Sequence, residues 1–257
     1  MSHRLPEPDL QLVAAGAIER AVDRDDFYAR VPIEWTEAKR GAFDDFFEAV
    51  AVQEGVTDVD YDLPYPKHEF LRCLSDTRRL MLHGSDRRDL ELLKPLRNSS
   101  DASDWGNVSG VYAEPDPIRP IYFAVVDRHQ SFGLINGCFT VADDGSMDSR
   151  FEDVTRPRHF RLSVGFPAVG EQFWRDGWVY ALPGETFEFW EEWTSRVPVQ
   201  PVFRIAVSLD DLPLAVSYVD IRRGGSAWVD VDGPFPYLED VWSVPVRGFP
   251  HQRETRP

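Results

Sequence analysis

The chain is poor in cysteine, with only Cys73 and Cys138 among its 257 residues. They lie far apart and have apolar neighbours, so they form neither a metal-type nor a redox-type pair and read as ordinary core residues. Long apolar runs are also missing. The longest stretches, such as Ile121–Val126, fall far short of the ~18 residues a membrane span requires. Met1–Asp9 is polar and contains proline, without the apolar stretch of a secretory signal. The expected location is therefore cytoplasmic, with no membrane contact. Positive charge is scarce: 28 Lys and Arg stand against 44 Asp and Glu, a formal net charge of −16. Such a surface repels a phosphate backbone and argues against broad nucleic-acid binding, although a solvated acidic surface by itself says little about partners.

Several catalytic signatures are absent too. The sequence has no G-x-G-x-x-G, no Walker-type loop and no G-x-S-x-G elbow, which argues against a dinucleotide fold of Rossmann type, a P-loop enzyme and a typical serine hydrolase. The six histidines are scattered, and none pairs at helical metal-ligand spacing. No metal site is expected from them.

What is present is a helical beginning followed by strands. Asp9–Val22 carries a helical apolar stripe, and Trp35–Ala51 a second one through Phe43, Phe46, Phe47 and Val50. Thr36 is placed to cap that helix and Gly55 to end it. Asp58–Pro66, acidic and twice interrupted by proline, reads as a loop, and His68–Asp76 as another short helix. Strands are expected over Leu80–Leu82, Val108–Ala113, Phe132–Val141, His159–Val164, Gly177–Leu182, Val202–Ser208, Val216–Ile221 and Ala227–Val231. Gly133 and Gly137 suggest a bulge in the third of these. A helix is expected within Pro115–Asp127, starting only after Pro120 if that proline is not tolerated, and an amphipathic helix around Trp190 and Trp193 with Glu191 and Glu192 outward. This order predicts an α+β fold, with a helical region over 1–66 and a strand-rich domain over 67–257.

The informative segment runs from Leu80 to Ala124. His83 and Gly84 end an apolar strand. A glycine there lets a ligand approach the backbone, whose N–H and C=O can pair with a carboxamide, and an adjacent imidazole can bond a sugar hydroxyl. Tyr112 ends a second short strand, and Tyr122 follows 10 positions later. Two aromatic faces beside a backbone amide clamp suit a flat heteroaromatic amide. The plainer alternatives are a structural strand-end histidine and two core tyrosines.

The stretch Leu80-Met81-Leu82-His83-Gly84-Ser85, with Gly110-Val111-Tyr112 placing its tyrosine 29 positions after the histidine, resembles the nicotinamide-binding half of the ADP-ribosyltransferase superfamily, of the diphtheria-toxin and poly(ADP-ribose) polymerase type. The resemblance covers about 45 residues directly. It implies a split β-core that binds NAD. His83 would contact a ribose hydroxyl, the Gly84 backbone would hold the carboxamide with support from Ser85, and Tyr112 and Tyr122 would sandwich the ring. It also implies an acidic residue that stabilises the oxocarbenium-like transition state. The polymerase-like members have a glutamate three positions before a Val-Tyr pair. The corresponding position before Val179-Tyr180 is Asp176, one methylene shorter, and a misplacement of about 1 Å at such a position is costly. Glu171, Glu185 and Glu188 are alternatives in another register. Arg78, Arg79, Arg87 and Arg88 flank the His-Gly strand and either meet the NAD pyrophosphate or balance surface charge.

The expected activity is cleavage of the nicotinamide–ribose bond of NAD with transfer of ADP-ribose to an unidentified macromolecular acceptor. The alternatives are an inactive NAD- or nucleotide-binding module of the same fold and an acidic protein-interaction domain. Transfer of a 2′-phosphate from RNA, on a related fold, is disfavoured by the charge.

Overall fold

A computed structural model describes residues 29–51, 55–96, 109–128, 133–142, 147–166, 174–190, 192–214, 216–220 and 227–229. The elements, in chain order, are β1 (Ala29–Arg30), α1 (Glu37–Ala51), β2 (Thr57–Val59), α2 (Lys67–Arg78), β3 (Leu80–Ser85), β4 (Val111–Tyr112) and α3 (Ile118–Val125). They continue with β5 (Gly133–Val141), β6 (Met147–Asp148), β7 (His159–Phe166), β8 (Gly177–Pro183), β9 (Phe187–Trp190), β10 (Glu192–Ser195), β11 (Phe203–Val207), β12 (Ser217–Asp220) and β13 (Ala227–Val229). The protein is α+β, as its sequence predicts. No helix among the described residues is long and apolar enough to cross a membrane. The helix expected over Asp9–Val22 lies outside the described residues.

The chain divides into two units. One comprises residues 32–126 and 174–213, the other 1–31, 127–173 and 214–257. The first unit thus runs unbroken across position 66.

In the first unit a four-stranded sheet has the order β2-β11-β8-β3. All its neighbours are antiparallel except β2 and β11. Its two faces are covered differently. Alternation along β3 and β8 directs Leu82, Gly84, Gly177, Val179 and Ala181 to one face and Met81, His83, Tyr180 and Leu182 to the other. The helices cover the first face. A Cβ on Gly84 would lie 1.9 Å from the Pro120 carbonyl oxygen, and one on Gly177 2.2 Å from the Ala124 carbonyl oxygen. The two glycines therefore let the backbone of α3 settle directly on the strands. Phe47 of α1 and Phe70 of α2 meet Phe203 of β11 edge-on or tilted, with ring centroids 6.4 and 6.1 Å away. Phe43, Phe70 and Phe203 are fully buried, each worth about 1.5–3 kcal/mol in apolar burial.

The second face packs on a three-stranded antiparallel sheet of order β4-β10-β9. Met81, Tyr180 and Leu182 from the larger sheet and Val111, Ala113 and Phe187 from the smaller form one buried cluster.

Local chemistry explains the helices. Thr36 caps α1 as expected: its hydroxyl accepts the Lys39 N–H at 3.2 Å. Helix α3 starts at Ile118, two residues ahead of Pro120, not after it. Proline in a first turn forfeits an N–H that has no intrahelical partner anyway. The Ile118 N–H goes instead to the buried Asp116 carboxylate at 2.9 Å, which Arg72 neutralises at 2.9 Å. Three other expectations are corrected. The loop assigned to Asp58–Pro66 begins inside β2, whose Thr57–Val59 pairs in parallel with β11. The region around Trp190 and Trp193 is a β-hairpin, with Trp190 opposite Glu192 and Trp193 opposite Phe189. And β5 carries no bulge: its register on β7 is unbroken from Gly133 to Phe139.

The second unit is a sheet of order β13-β12-β7-β5-β6, with β1 also on β7. Cys138, Phe139, Phe160 and Leu162 are buried in it. Cys138 here and Cys73 in α2 are both buried and outside any disulfide, the core role their sequence surroundings predict.

Candidate functional site

The site is built where β3 and β4 part. Leu82 and Glu114 exchange both backbone hydrogen bonds, at 2.7 and 2.8 Å, and form an isolated bridge between the two sheets. By strand alternation the next residue to aim its N–H and C=O at that edge is Gly84, and the residue facing it on the β4 side is Tyr112. No rung forms between them among the described pairings. The Tyr112 carbonyl instead sits 2.7 Å from His83 Nδ1. A carbonyl can only accept, so Nδ1 carries a proton, and in a neutral ring Nε2 is then an acceptor. The ladder thus splits at its last bridge, with the His83 ring spanning the opening and the Gly84 backbone edge beside it.

His83, Gly84, Ser85 and Tyr112 are all part-exposed, so the structure brings these four predicted residues together at one accessible edge. It does not place the other two there in the same way. Tyr122 is 0% exposed and lies inside α3 against Phe123, centroids 5.6 Å apart. Asp176 is exposed and stands just before β8, whose Trp178 faces Ser85. It shares the strand end with Ser85 rather than facing the split. The space next to Gly84, expected to admit a ligand, is filled by α3 on the Cβ side; only its N–H and C=O edge points outward.

Of the alternative carboxylates, Glu171 lies outside the described residues and Glu185 is exposed in the turn before β9. Glu188 has a defined relation to the site. Tyr112, Thr194 and Glu188 form one cross-strand row on the face of the small sheet away from the core. The next row along holds Glu114 and Glu192, both gripped by Arg119, at 2.7 and 3.0 Å. Arg119, from the first turn of α3, so ties that helix to the small sheet.

Of the four arginines near the His-Gly strand, Arg79 ends α2 in the left-handed conformation, and the other three are engaged within the protein. Arg78 pairs with Asp44 and Glu48, Arg87 with Asp89, and Arg88 with Asp58. These are the charge-balancing roles of the plainer reading.

Sequence reasoning missed a row of polar side chains across the larger sheet. Asp58, Arg204, Tyr180 and His83 are successive cross-strand partners on β2, β11, β8 and β3. Arg204 bonds Asp58, which the Arg204 and Arg88 guanidiniums hold below the usual carboxylate range against the opposing effect of burial. Burial pushes the Tyr180 hydroxyl upward, so it is a protonated donor. It donates to the Arg87 carbonyl at 2.6 Å and accepts the Leu90 N–H at 3.3 Å. The four residues lie over 100 positions apart in sequence at the extreme, and no local pattern links them. Only the strand alternation of Gly177–Leu182, which turns Tyr180 to the face of His83, carries any trace of the row.

No family model matches the chain, and no curated protein or solved structure matches it.

Proposed function

We propose that the chain is an ADP-ribosyltransferase-like protein whose split between β3 and β4 binds NAD and breaks its nicotinamide–ribose bond. The observation that carries this reading is the contact of His83 Nδ1 with the Tyr112 carbonyl. It joins the His-Gly-Ser strand and the Gly-Val-Tyr strand at the point where their ladder opens, so the two halves of the sequence resemblance meet in space. The Gly84 N–H and C=O edge matches a carboxamide, which offers one acceptor and two donors. His83 Nε2 is then the acceptor for a ribose hydroxyl, and the Tyr112 ring offers a flat face to the pyridine. In the reaction the C1′–N bond breaks, nicotinamide leaves with the bonding pair, an acceptor nucleophile joins C1′, and its proton passes to solvent. A carboxylate near C1′ offsets the positive charge that develops on the ribose.

A second reading, an NAD-binding module without chemistry, is favoured by one observation: Asp176 is exposed just before β8 and takes no part in the strand pairs that form the site. Nicotinamide release from NAD, with His83→Ala, Asp176→Ala and Glu188→Gln alongside, separates the two. Release abolished by His83→Ala and by one carboxylate variant supports the transferase and names its acidic residue. NAD binding that needs His83 without release supports the module, and absence of binding rejects both.

A further inference from the structure

The segment Asp86–Glu91, which follows Ser85, is held down along its length. Asp86 pairs with Arg175 at 2.9 Å, Arg88 with Asp58 at 2.7 Å, and Glu91 with Arg204 at 3.5 Å. Arg88 also lies over the Trp178 ring, 5.1 Å from its centroid. The central tether is Tyr180, whose hydroxyl takes the Arg87 carbonyl and the Leu90 N–H at once. Tyr180 is the direct cross-strand neighbour of His83. Its ring is wholly buried in the cluster between the sheets, so the hydroxyl stands at a fixed height above the sheet. The strap has no helix or strand of its own to fix its path, and its residues Asp86 to Asp89 are exposed. Apart from Arg175, which precedes β8, the side chains that hold it (Asp58, Trp178, Tyr180 and Arg204) come from the sheet beneath it, on the face that bears His83.

We propose that Tyr180 is a positioning residue for the site at His83: it fixes the Asp86–Glu91 strap as one wall of the NAD seat, with the Asp58–Arg204 pair as the outer anchor. The proposal rests on the NAD reading above. An ordered wall next to Ser85 confines a ligand that reaches past Gly84, and releasing it leaves the His83–Tyr112 contact intact while costing binding through the freedom regained by the strap.

The test uses the full chain and two readouts. Tyr180→Phe keeps the ring in the core and removes only the hydroxyl. Its expected effects are faster trypsin cleavage after Arg87 and Arg88, located by mass spectrometry, and NAD affinity about tenfold lower by calorimetry, the loss of one to two net hydrogen bonds. Asp58→Asn, on an exposed carboxylate, moves both readouts the same way by less, and serves if Tyr180→Phe misfolds. His83→Ala abolishes binding without speeding the cleavage. Unchanged affinity in a Tyr180→Phe protein with a native near-ultraviolet dichroism spectrum overturns the proposal, and so does an unchanged cleavage rate. If the native chain does not bind NAD, the functional reading falls and takes the wall with it, while faster cleavage in the same variant still shows the tether.

Discussion

His83 and His159 both stand on β-strands, one in each unit, and their surroundings treat them in opposite ways. His83 is part-exposed, and its Nδ1 meets a backbone carbonyl at 2.7 Å. His159 is 2% exposed, stacked on Phe139 at 5.5 Å, and its Nδ1 has no hydrogen-bond partner among the described residues. Burial, aided by the Arg30 charge, lowers its pKa from 6.5 to about 4. One ring is fixed through its Nδ1 and kept within reach of solvent. The other is held neutral by exclusion from it. A titratable group serves a ligand when its orientation is set by partners and its outer edge stays accessible; without partners, the same group is an acid-sensitive part of a core.

The seat of His83 breaks most sharply at its neighbour. Gly84→Ala sets a Cβ 1.9 Å from the Pro120 carbonyl oxygen and 3.0 Å from the Ala124 amide nitrogen, both backbone atoms of α3. Neither can swing aside, so the helix must lift from β3. The expected loss is about 3 kcal/mol, read as a fall in the urea midpoint. Gly41→Ala is the control. Gly41 lies in α1 with nothing within 4 Å of its Cβ position, and the substitution stabilises by up to about 1 kcal/mol through helix propensity. Equal destabilisation by the two substitutions would refute the close-approach account of Gly84.

His159 sharpens the comparison through pH. Its folded pKa lies below its unfolded value, so between pH 6.5 and about 4 the unfolded chain binds a proton that the folded chain does not. Stability therefore rises with pH across that window and is lost on acidification, by about 2–3 kcal/mol for a shift of this size. His159→Phe, which keeps a ring against Phe139, removes this component of the acid sensitivity. Parallel urea titrations at pH 7 and pH 4 measure the difference, and an equal drop in both proteins would count against a neutral buried His159. The ring-proton resonances of His159 give its titration midpoint directly.

Much of the scaffold around His83 is legible in the sequence, because its elements are amphipathic and bounded by local signals. Helices α1 and α2 and strands β8 and β11 fall within a residue or two of their expected limits. Three failures have physical causes. The hairpin Phe187–Ser195 buries Phe187 on one arm and Ser195 on the other. In the sequence, the pair Trp190 and Trp193 imitates a helical step. β2 is three residues long and gains its strand character from a partner nearly 150 positions away, so neighbouring residues give no hint of it. Pro120 reads as a helix breaker unless the helix start is known to lie just ahead of it. The candidate site divides the same way. The His83–Gly84 and Tyr112 strands announce themselves by local pattern, whereas Tyr180, Arg204 and Asp58 join them through sheet register alone.

The smallest expected effects on stability come from the site itself, and they complete the contrast with His159. His83→Ala removes the Nδ1 contact with the Tyr112 carbonyl at a part-exposed position, so the expected loss is about 1 kcal/mol. Asp176→Ala, at an exposed position before β8, is expected to stay within about 0.5 kcal/mol of the native chain. Because neither substitution empties a core, a loss of NAD binding in His83→Ala reports on ligand contact and not on unfolding. The urea midpoint and the binding isotherm of each variant, measured on the same preparation, make the separation. Should His83→Ala cost 3 kcal/mol or more, the ring is a structural strut between the sheets, and the parting of β3 and β4 is no longer evidence for a ligand.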